Sequence, residues 1–289
     1  MSNGIAVRQN EEKAIAMLAA QRQLYNDVKK IGVVSVTLSV WLPFAMALVL
    51  LFLSEESKWN GVSYLLAIGG MLASFVADKY IDEKKKLAAF IQQKFDAYVY
   101  NMSWDERIFG KDKNVNQEIV VYSKKILEND DDKDRLNNWY TPEVDNRDLA
   151  KGILLCQREN YRWDVGLRKR YRLVCIIMII VLCSFVVTMG LWKNESFVML
   201  LWRFAFIVPM IKWLLGTIKA LNKDVERLKE MDAILNLDEP KTLDELQNIQ
   251  KLIFEHRKVC YAIPDFFYKM FKDNDEDTAH RVVSMEDCI

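Results

Sequence analysis

Four apolar segments constrain the fold of this chain more than any other feature of its sequence. They comprise residues 31–53, 61–77, 173–192 and 197–217. A helix of about 20 apolar residues crosses the roughly 30 Å of hydrocarbon in a bilayer, and each segment is close to that length. Charged residues crowd the stretches between them. The pattern predicts four transmembrane helices arranged as two hairpins.

A soluble protein with four buried helices is the alternative, because a core helix is also apolar on all sides. The composition allows it, since 51% of the 289 residues are hydrophobic and 40 basic side chains balance 40 acidic ones. Four such helices, however, need a core far larger than a chain of this length can wrap. We therefore expect an all-α, polytopic membrane protein with helical cytoplasmic extensions. A cleavable signal peptide does not fit the first segment, which is too long and has no small-residue cleavage site behind it.

Basic residues near the predicted spans indicate their orientation, because cationic loops stay in the cytoplasm. They flank the open ends of the hairpins and comprise Lys29, Lys30, Lys79, Lys84, Lys85, Lys86, Arg168, Lys169, Arg170, Arg172, Lys219 and Lys223. Each hairpin tip, by contrast, holds one lysine. The rule places both termini and the segment between the hairpins in the cytoplasm.

Three polar segments lie outside the hairpins: residues 1–30, 78–172 and 218–289. Each shows helical periodicity, and the first is an amphipathic helix that leads into span one. In the middle segment we expect a stalk that continues span two, then a loop-rich stretch to about Val144. A second stalk, capped by Asp145 or Asn146, leads into span three. The last segment continues span four.

The fourth span contains two cations and a proline, namely Arg203, Lys212 and Pro209. At 1.5 Å per residue the two cations lie about 8–9 Å from opposite ends of the span, so their long side chains reach the headgroups. The alternative is a pore or gate, since cations in a membrane usually face a bundle interior or water. Arg203 and Lys212 are nine residues apart, which places their side chains on opposite faces of a straight helix. A kink at Pro209 changes the angle between those two faces.

Small and hydroxylated residues recur in the first hairpin, at Ser35, Thr37, Ser39, Ser63, Gly69, Gly70, Ala73 and Ser74. Such residues let helices approach closely in lipid, so helix packing is the expected role and pore lining the alternative.

The cysteines are distributed as in a protein of a reducing compartment. Cys156, Cys260 and Cys288 are in cytoplasmic segments, and Cys175 and Cys183 are in span three. Because neither hairpin tip contains a cysteine, we expect no disulfide framework.

Metal-binding patterns are weak. His256 and Cys260 have the i, i+4 spacing of two ligands, but no second pair with zinc spacing accompanies them. The run Asp130, Asp131, Asp132 and Asp134 resembles a calcium loop, yet Arg135 stands where that loop needs Gly and Thr141 where it needs Glu. We predict no metal and interpret the acidic run as a solvated loop.

Catalytic signatures are also missing. The sequence has no Walker A loop, no dinucleotide fingerprint, no HExxH and no G-x-S-x-G. His256 and His280 are its two histidines, so acid–base chemistry would depend on carboxylates, and these look like solvent-exposed faces. We predict that the protein is not an enzyme and has no cofactor.

Five stretches carry a resemblance to a known family. They are QRQLYNDVKK near the start, KKKLAAFIQQKFD after span two, WYTPEVD at 139–145, CQRENYRWDVGLRKRY before span three, and IPDFFYKMF at 263–271. The chain resembles the SMODS-associated four-transmembrane pore-forming effectors of bacterial antiphage (CBASS) signalling. The similarity extends over nearly the whole chain, with both hairpins in the expected places.

The resemblance implies a functional partner and a ligand. Such an effector acts with a nucleotidyltransferase that makes a cyclic oligonucleotide upon infection. The messenger binds the cytoplasmic part, and the membrane part then opens or damages the bacterial inner membrane, so that the cell dies or stops growing. No DNA or RNA partner is implied.

The family motifs do not identify ligand-binding residues, so we chose candidates by chemistry. A cyclic oligonucleotide offers phosphates and base faces, which Arg or Lys and aromatic side chains bind. The candidates are Trp139, Tyr140, Arg158, Tyr161, Arg162 and Trp163. Alternatively, the aromatic side chains pack between helices, and the basic residues at 168–172 form a collar that faces the lipid headgroups.

Ligand binding is expected to rotate or assemble the stalks and so to act on the spans, provided that the ligand prefers the open or assembled state. Four spans are few for a wide pore, so a homo-oligomer is expected. A constitutive channel or small transporter without nucleotide input, and a membrane-anchored enzyme, remain the alternatives.

Overall fold

The computed structural model describes residues 2–50, 58–236, 241–268 and 270–271. All regular secondary structure in these ranges is helical, which confirms the all-α class. Parts of the predicted segments, including the first hairpin tip up to residue 57 and the C-terminal residues from 272 with Cys288, lie outside the described residues.

The α-helices of the described ranges are α1 (Ile5–Arg8), α2 (Glu12–Val36), α3 (Leu42–Leu50), α4 (Lys58–Val99), α5 (Glu106–Phe109), α6 (Asn116–Leu127), α7 (Asp130–Asp134), α8 (Leu149–Trp192), α9 (Phe197–Leu235) and α10 (Leu243–Val259). A π-helix, Thr37–Trp41, joins α2 to α3, and a 3-10 helix, Pro142–Asn146, precedes α8.

The chain divides into two units. The stalk unit combines residues up to Lys29, Asp82–Arg168 and residues from Asp224 onward. The hairpin unit combines Lys30–Ile81 and Lys169–Lys223, and contains all four predicted spans. Each boundary between the units falls inside a helix, namely α2, α4, α8 or α9.

Large apolar side chains point outward along the hairpin unit. Leu65, Phe75, Phe185 and Phe197 are each more than 60% exposed. Exposed apolar surface on this scale marks contact with a membrane or another protein. Two helical stretches, Glu12–Met46 and Leu149–Trp192, are long and apolar enough to cross a bilayer. Together these features indicate association with a membrane. The count of four spans is not confirmed, and spans two and four stay predictions.

The π-helix ends two residues before Pro43, whose backbone has no N–H to donate. Here the Leu42 amide bonds to the Thr37 carbonyl, the wider π spacing. A Cβ atom added at Gly70 on α4 would lie 2.7 Å from the Leu38 carbonyl oxygen, whereas one at Gly69 would meet nothing within 4 Å. The two helices therefore approach each other at Gly70, as helix packing requires.

Buried apolar side chains at three- and four-residue spacing form the core of the stalk unit. They include Leu18, Leu24, Ile91, Phe95, Ile153, Leu154, Leu228, Met231, Leu235, Leu246 and Ile249. Helix α10 begins at a capping box in which Thr242 and Glu245 bond to each other's backbone N–H. This end of α10 is thereby fixed, and its apolar face packs into the core.

Two local predictions were wrong. Helix α8 starts at Leu149 because Asp148 caps it, its carboxylate accepting the Lys151 amide at 3.0 Å. Asp145 instead accepts the Ala6 amide at 3.2 Å. The stretch predicted to be rich in loops contains α6, and the acidic run forms the short helix α7, which Asn129 caps.

Candidate functional site

The cluster predicted to bind ligand is formed where the loop before the 3-10 helix meets α8. The Asn160 amide donates to the Tyr140 hydroxyl at 3.1 Å, and the Thr141 hydroxyl bonds to Glu159 at 3.3 Å. The structure thus brings the loop that carries Trp139 and Tyr140 against the part of α8 that carries the predicted arginines.

Most side chains of this cluster are engaged in packing. Tyr140 is 1% exposed, and Trp139 is half-buried against the core. Arg158 Nη2 donates to the Leu235 carbonyl at 3.0 Å. Burial and a hydrogen bond to Asp232 raise the pKa of Tyr161. Arg162 is exposed, and the side chain of Trp163 lies outside the described part of the chain. Ligand binding by this cluster stays a prediction.

A buried ion pair that the sequence analysis missed lies beside Tyr140. Asp96 is fully buried, and its carboxylate accepts hydrogen bonds from Arg257 Nη1 at 2.5 Å, Gln250 Nε2 at 2.7 Å and the Tyr140 hydroxyl at 2.7 Å. Burial would lower the pKa of Arg257, but the Asp96 carboxylate raises it above the usual value. Such a pair needs hydrogen bonds that satisfy its ions, and the Asp96 carboxylate accepts three.

Buried amides extend this network. Gln250 Nε2 donates to Gln93 Oε1, and Gln157 Nε2 donates to Gln250 Oε1, each at 3.0 Å. Gln93 belongs to α4, Gln157 to α8 and Gln250 to α10. The network therefore connects three helices through polar contacts in an apolar core.

A second charged network surrounds Arg168, which is the last residue of α8 that belongs to the stalk unit. Arg168 Nη1 donates to Asp224 at 2.6 Å, and Arg168 Nε lies 2.9 Å from Asp164. His256 Nε2 lies 2.8 Å from the other Asp164 oxygen. Burial would raise the pKa of Asp164, but Arg168 and His256 lower it well below its usual range. His256 is thus engaged by a carboxylate, and no group of three or more His, Cys, Asp or Glu suited to a metal occurs in the described ranges.

The stalk unit contains a cavity of 510 Å³. Its lining residues are separate in sequence from the cluster predicted to bind ligand. Its lining comes from the last residue of α1, the start of α2, the end of α4, the loops on either side of α5 and the start of α6. It includes the cations Arg8, Lys13 and Lys94, the aromatic residues Tyr98 and Trp104, and Asp112. The sequence alone does not predict this cavity, because its residues come from separate segments.

The predicted pore or gate residues lie on α9 in the hairpin unit. Pro209 is inside the helix, which continues past it. Arg203 forms a two-point ion pair with Glu195 of the hairpin tip, with Nε 2.5 Å from Oε2. Lys212 is exposed. A role for these residues in a pore stays a prediction.

Comparison with known proteins gives two matches over almost the full length. The family model of the SMODS-associating 4TM effector domain matches residues 3–285. A probable CBASS effector molecule of Bacillus cereus strain VD146 is 22% identical over 283 residues, which cover 93% of this chain and 94% of that protein. No solved structure matches the chain.

Proposed function

The chain belongs to the SMODS-associating 4TM effector family, and from this premise we propose that it is the membrane effector of a bacterial antiphage system. It senses a cyclic oligonucleotide through the stalk unit and permeabilises the inner membrane through the hairpin unit, which leads to cell death or growth arrest. The observation that carries the proposal is the match over residues 3–285, which includes both units.

The distribution of polar and apolar surface supports this division of labour. The hairpin unit presents its large apolar side chains outward, as a protein in lipid does. The stalk unit has a buried apolar core, polar networks and a cavity. A messenger made in the cytoplasm would meet the stalk unit, with both termini on that side of the membrane.

Helix continuity offers a route from ligand to membrane. Helices α2, α4, α8 and α9 each have residues in both units. A ligand that prefers one arrangement of these helices over another shifts the population toward the preferred one. Because four spans enclose little space, the open state is a homo-oligomer, in which Arg203, Pro209 and Lys212 contribute to the pore or its gate.

The proposal is tested with the full chain in liposomes of phosphatidylethanolamine and phosphatidylglycerol loaded with a self-quenched dye. We expect rapid dye release with at least one member of a panel of cyclic di- and trinucleotides, and little release without them. The matched control is the same panel on liposomes without protein.

Two outcomes contradict the proposal. Release that is equally fast without any nucleotide would favour a constitutive channel or small transporter. Reporter fusions that place the segment between the hairpins outside the cell would remove the route from messenger to membrane, since a cytoplasmic ligand could not reach it.

A further inference from the structure

We propose that the 510 Å³ cavity of the stalk unit is the binding site for a phosphodiester and base of the cyclic oligonucleotide, and that Asp112 occupies the position of the phosphate until the ligand arrives. This inference rests on the proposed function, and it assigns the ligand to residues outside the cluster predicted from the sequence. The volume lies within the range of about 300–1,000 Å³ that is typical of small-molecule sites.

The charges of the lining favour an anion. Three cations, Arg8, Lys13 and Lys94, face one lining carboxylate, that of Asp112. Arg8 is held in place by neutral backbone carbonyls, with Nε 2.8 Å from the Val99 oxygen. Glu11 does not line the cavity and accepts a hydrogen bond from the Tyr98 hydroxyl. A phosphate would therefore meet excess positive charge.

Two aromatic rings of the lining provide surfaces for a base. The Trp104 indole is fixed by a 2.9 Å hydrogen bond from Nε1 to the Gly110 carbonyl, and by ring contacts with Phe90 and Phe109. Its side chain is partly buried, so that only part of the ring faces solvent. The Tyr98 ring already has the ammonium of Lys13 4.9 Å from its centroid. A rigid aromatic face beside a cation binds bases with little loss of side-chain entropy.

Asp112 is an internal substitute for a phosphate. Its carboxylate forms an ion pair with Lys94, which also lies 5.5 Å from the centre of the Trp104 ring. Asp112 follows Gly110, whose φ of +79° is a conformation that glycine adopts without strain. The carboxylate is half-exposed, at 49% of its side chain, so exchange for a phosphate breaks a weak surface pair and leaves no buried charge unpaired.

The cavity joins the two helices that lead into the first hairpin. Lys13 and Met17 lie on α2, while Lys94 and Tyr98 lie on α4. A ligand that binds these four residues crosslinks α2 to α4 within the stalk unit. Because α2 and α4 continue into the hairpin unit, this crosslink changes the preferred arrangement of helices that contain spans one and two.

The test is a titration of the purified full chain in detergent with a panel of 3′,3′-cyclic dinucleotides and a cyclic trinucleotide. For the ligand that binds, Lys13→Glu and Lys94→Glu are each expected to weaken the Kd about tenfold or more, because each removes a charge-assisted contact and adds repulsion. Trp104→Leu is expected to weaken it by a similar factor through lost stacking. Asp112→Asn is expected to tighten it, because the internal competitor is removed.

Control variants distinguish the loss of this binding site from a general effect of changing the protein's charge. Lys229→Glu changes an exposed lysine of α9 that does not line the cavity, and should leave the Kd unchanged. Lys13 is exposed, so its substitution keeps the fold, which circular dichroism checks. The double variant Arg158→Ala/Arg162→Ala tests the cluster predicted from the sequence.

The outcomes distinguish the two proposals. If Lys13→Glu, Lys94→Glu and Trp104→Leu all keep the wild-type Kd, the cavity assignment is overturned and the proposed function still stands. The same conclusion follows if binding is lost only in Arg158→Ala/Arg162→Ala. Weaker binding by Asp112→Asn overturns the role of that carboxylate. A wild-type chain that binds no member of the panel contradicts both proposals.

Discussion

Arg203 Nε lies 2.5 Å from Oε2 of Glu195, and Nη2 of the same guanidinium contacts the other carboxylate oxygen. The arginine of an apolar helix thus reaches back eight residues to an acid in the hairpin tip. This contact accounts for a cation inside a predicted span, because its charge is paired near the end of the helix.

The Arg203–Glu195 pair predicts non-additive effects on stability. We expect Glu195→Gln and Arg203→Gln each to lower the unfolding temperature of the chain in detergent, and the double variant to be no less stable than the worse single variant. Lys193→Gln, in the same tip, is the control and should have little effect. Additive losses in the double variant would show that the two side chains act independently.

Gly70 and Gly69 form a matched pair for testing the first hairpin. We expect Gly70→Ala to destabilise the chain, because its Cβ would lie 2.7 Å from the Leu38 carbonyl oxygen. Gly69→Ala meets nothing within 4 Å and should be neutral or stabilising by up to about 1 kcal/mol, since alanine favours helix. Thermal unfolding in detergent measures both. Equal effects of the two substitutions would refute close packing at Gly70.

The Asp96–Arg257 pair predicts a large loss of stability from one substitution. Arg257→Met leaves the fully buried Asp96 carboxylate without its counterion, and should cost about 3 kcal/mol in the free energy of unfolding. The control, Lys251→Met, changes an exposed lysine on the same helix and should cost little. Denaturant titration in detergent checks the difference. An Arg257→Met variant as stable as the control would mean that Asp96 gains solvent or another partner.

The depressed pKa of Asp164 predicts sensitivity to acid. Burial alone would raise this pKa, but Arg168 and His256 lower it below the unfolded value of about 3.9, so the folded state favours the carboxylate. The resulting stabilisation is fully present above that pH and is lost as the pH falls further. Asp164→Asn should therefore be less stable than wild type at pH 7, with the gap narrowing below about pH 4. Unfolding temperatures measured across this range test it, and a gap independent of pH would count against it.

The sequence predicted helices well where one face carries a regular apolar stripe. Ile91 and Phe95 belong to the predicted stalk after span two, and both are fully buried in α4. Helix starts were less predictable, because Asp145, Asn146 and Asp148 all have side chains suited to a cap. Tertiary bonds from Asp145 to the N-terminal segment decide among them.

Polar sites assembled from distant segments could not be predicted in the same way. Asp96 and Arg257 are 161 positions apart, and nothing local to either residue identifies the other. The cavity likewise combines Arg8, Lys94 and Trp104 from separate segments. Tyr140 was predicted to stack on a ligand from its residue type alone, whereas its hydroxyl bonds to Asp96 in the core. Composition indicates which side chains suit a nucleotide, but only packing determines which of them remain accessible.

The four boundaries between the units lie within α2, α4, α8 and α9 rather than in loops. A soluble fragment of this protein therefore cannot be made by trimming at a linker. Each cut would sever a helix between turns and leave carbonyl and amide groups without their partners. Crystallisation of the stalk unit alone would need two designed turns, one from α2 to α4 and one from α8 to α9, in place of the hairpins.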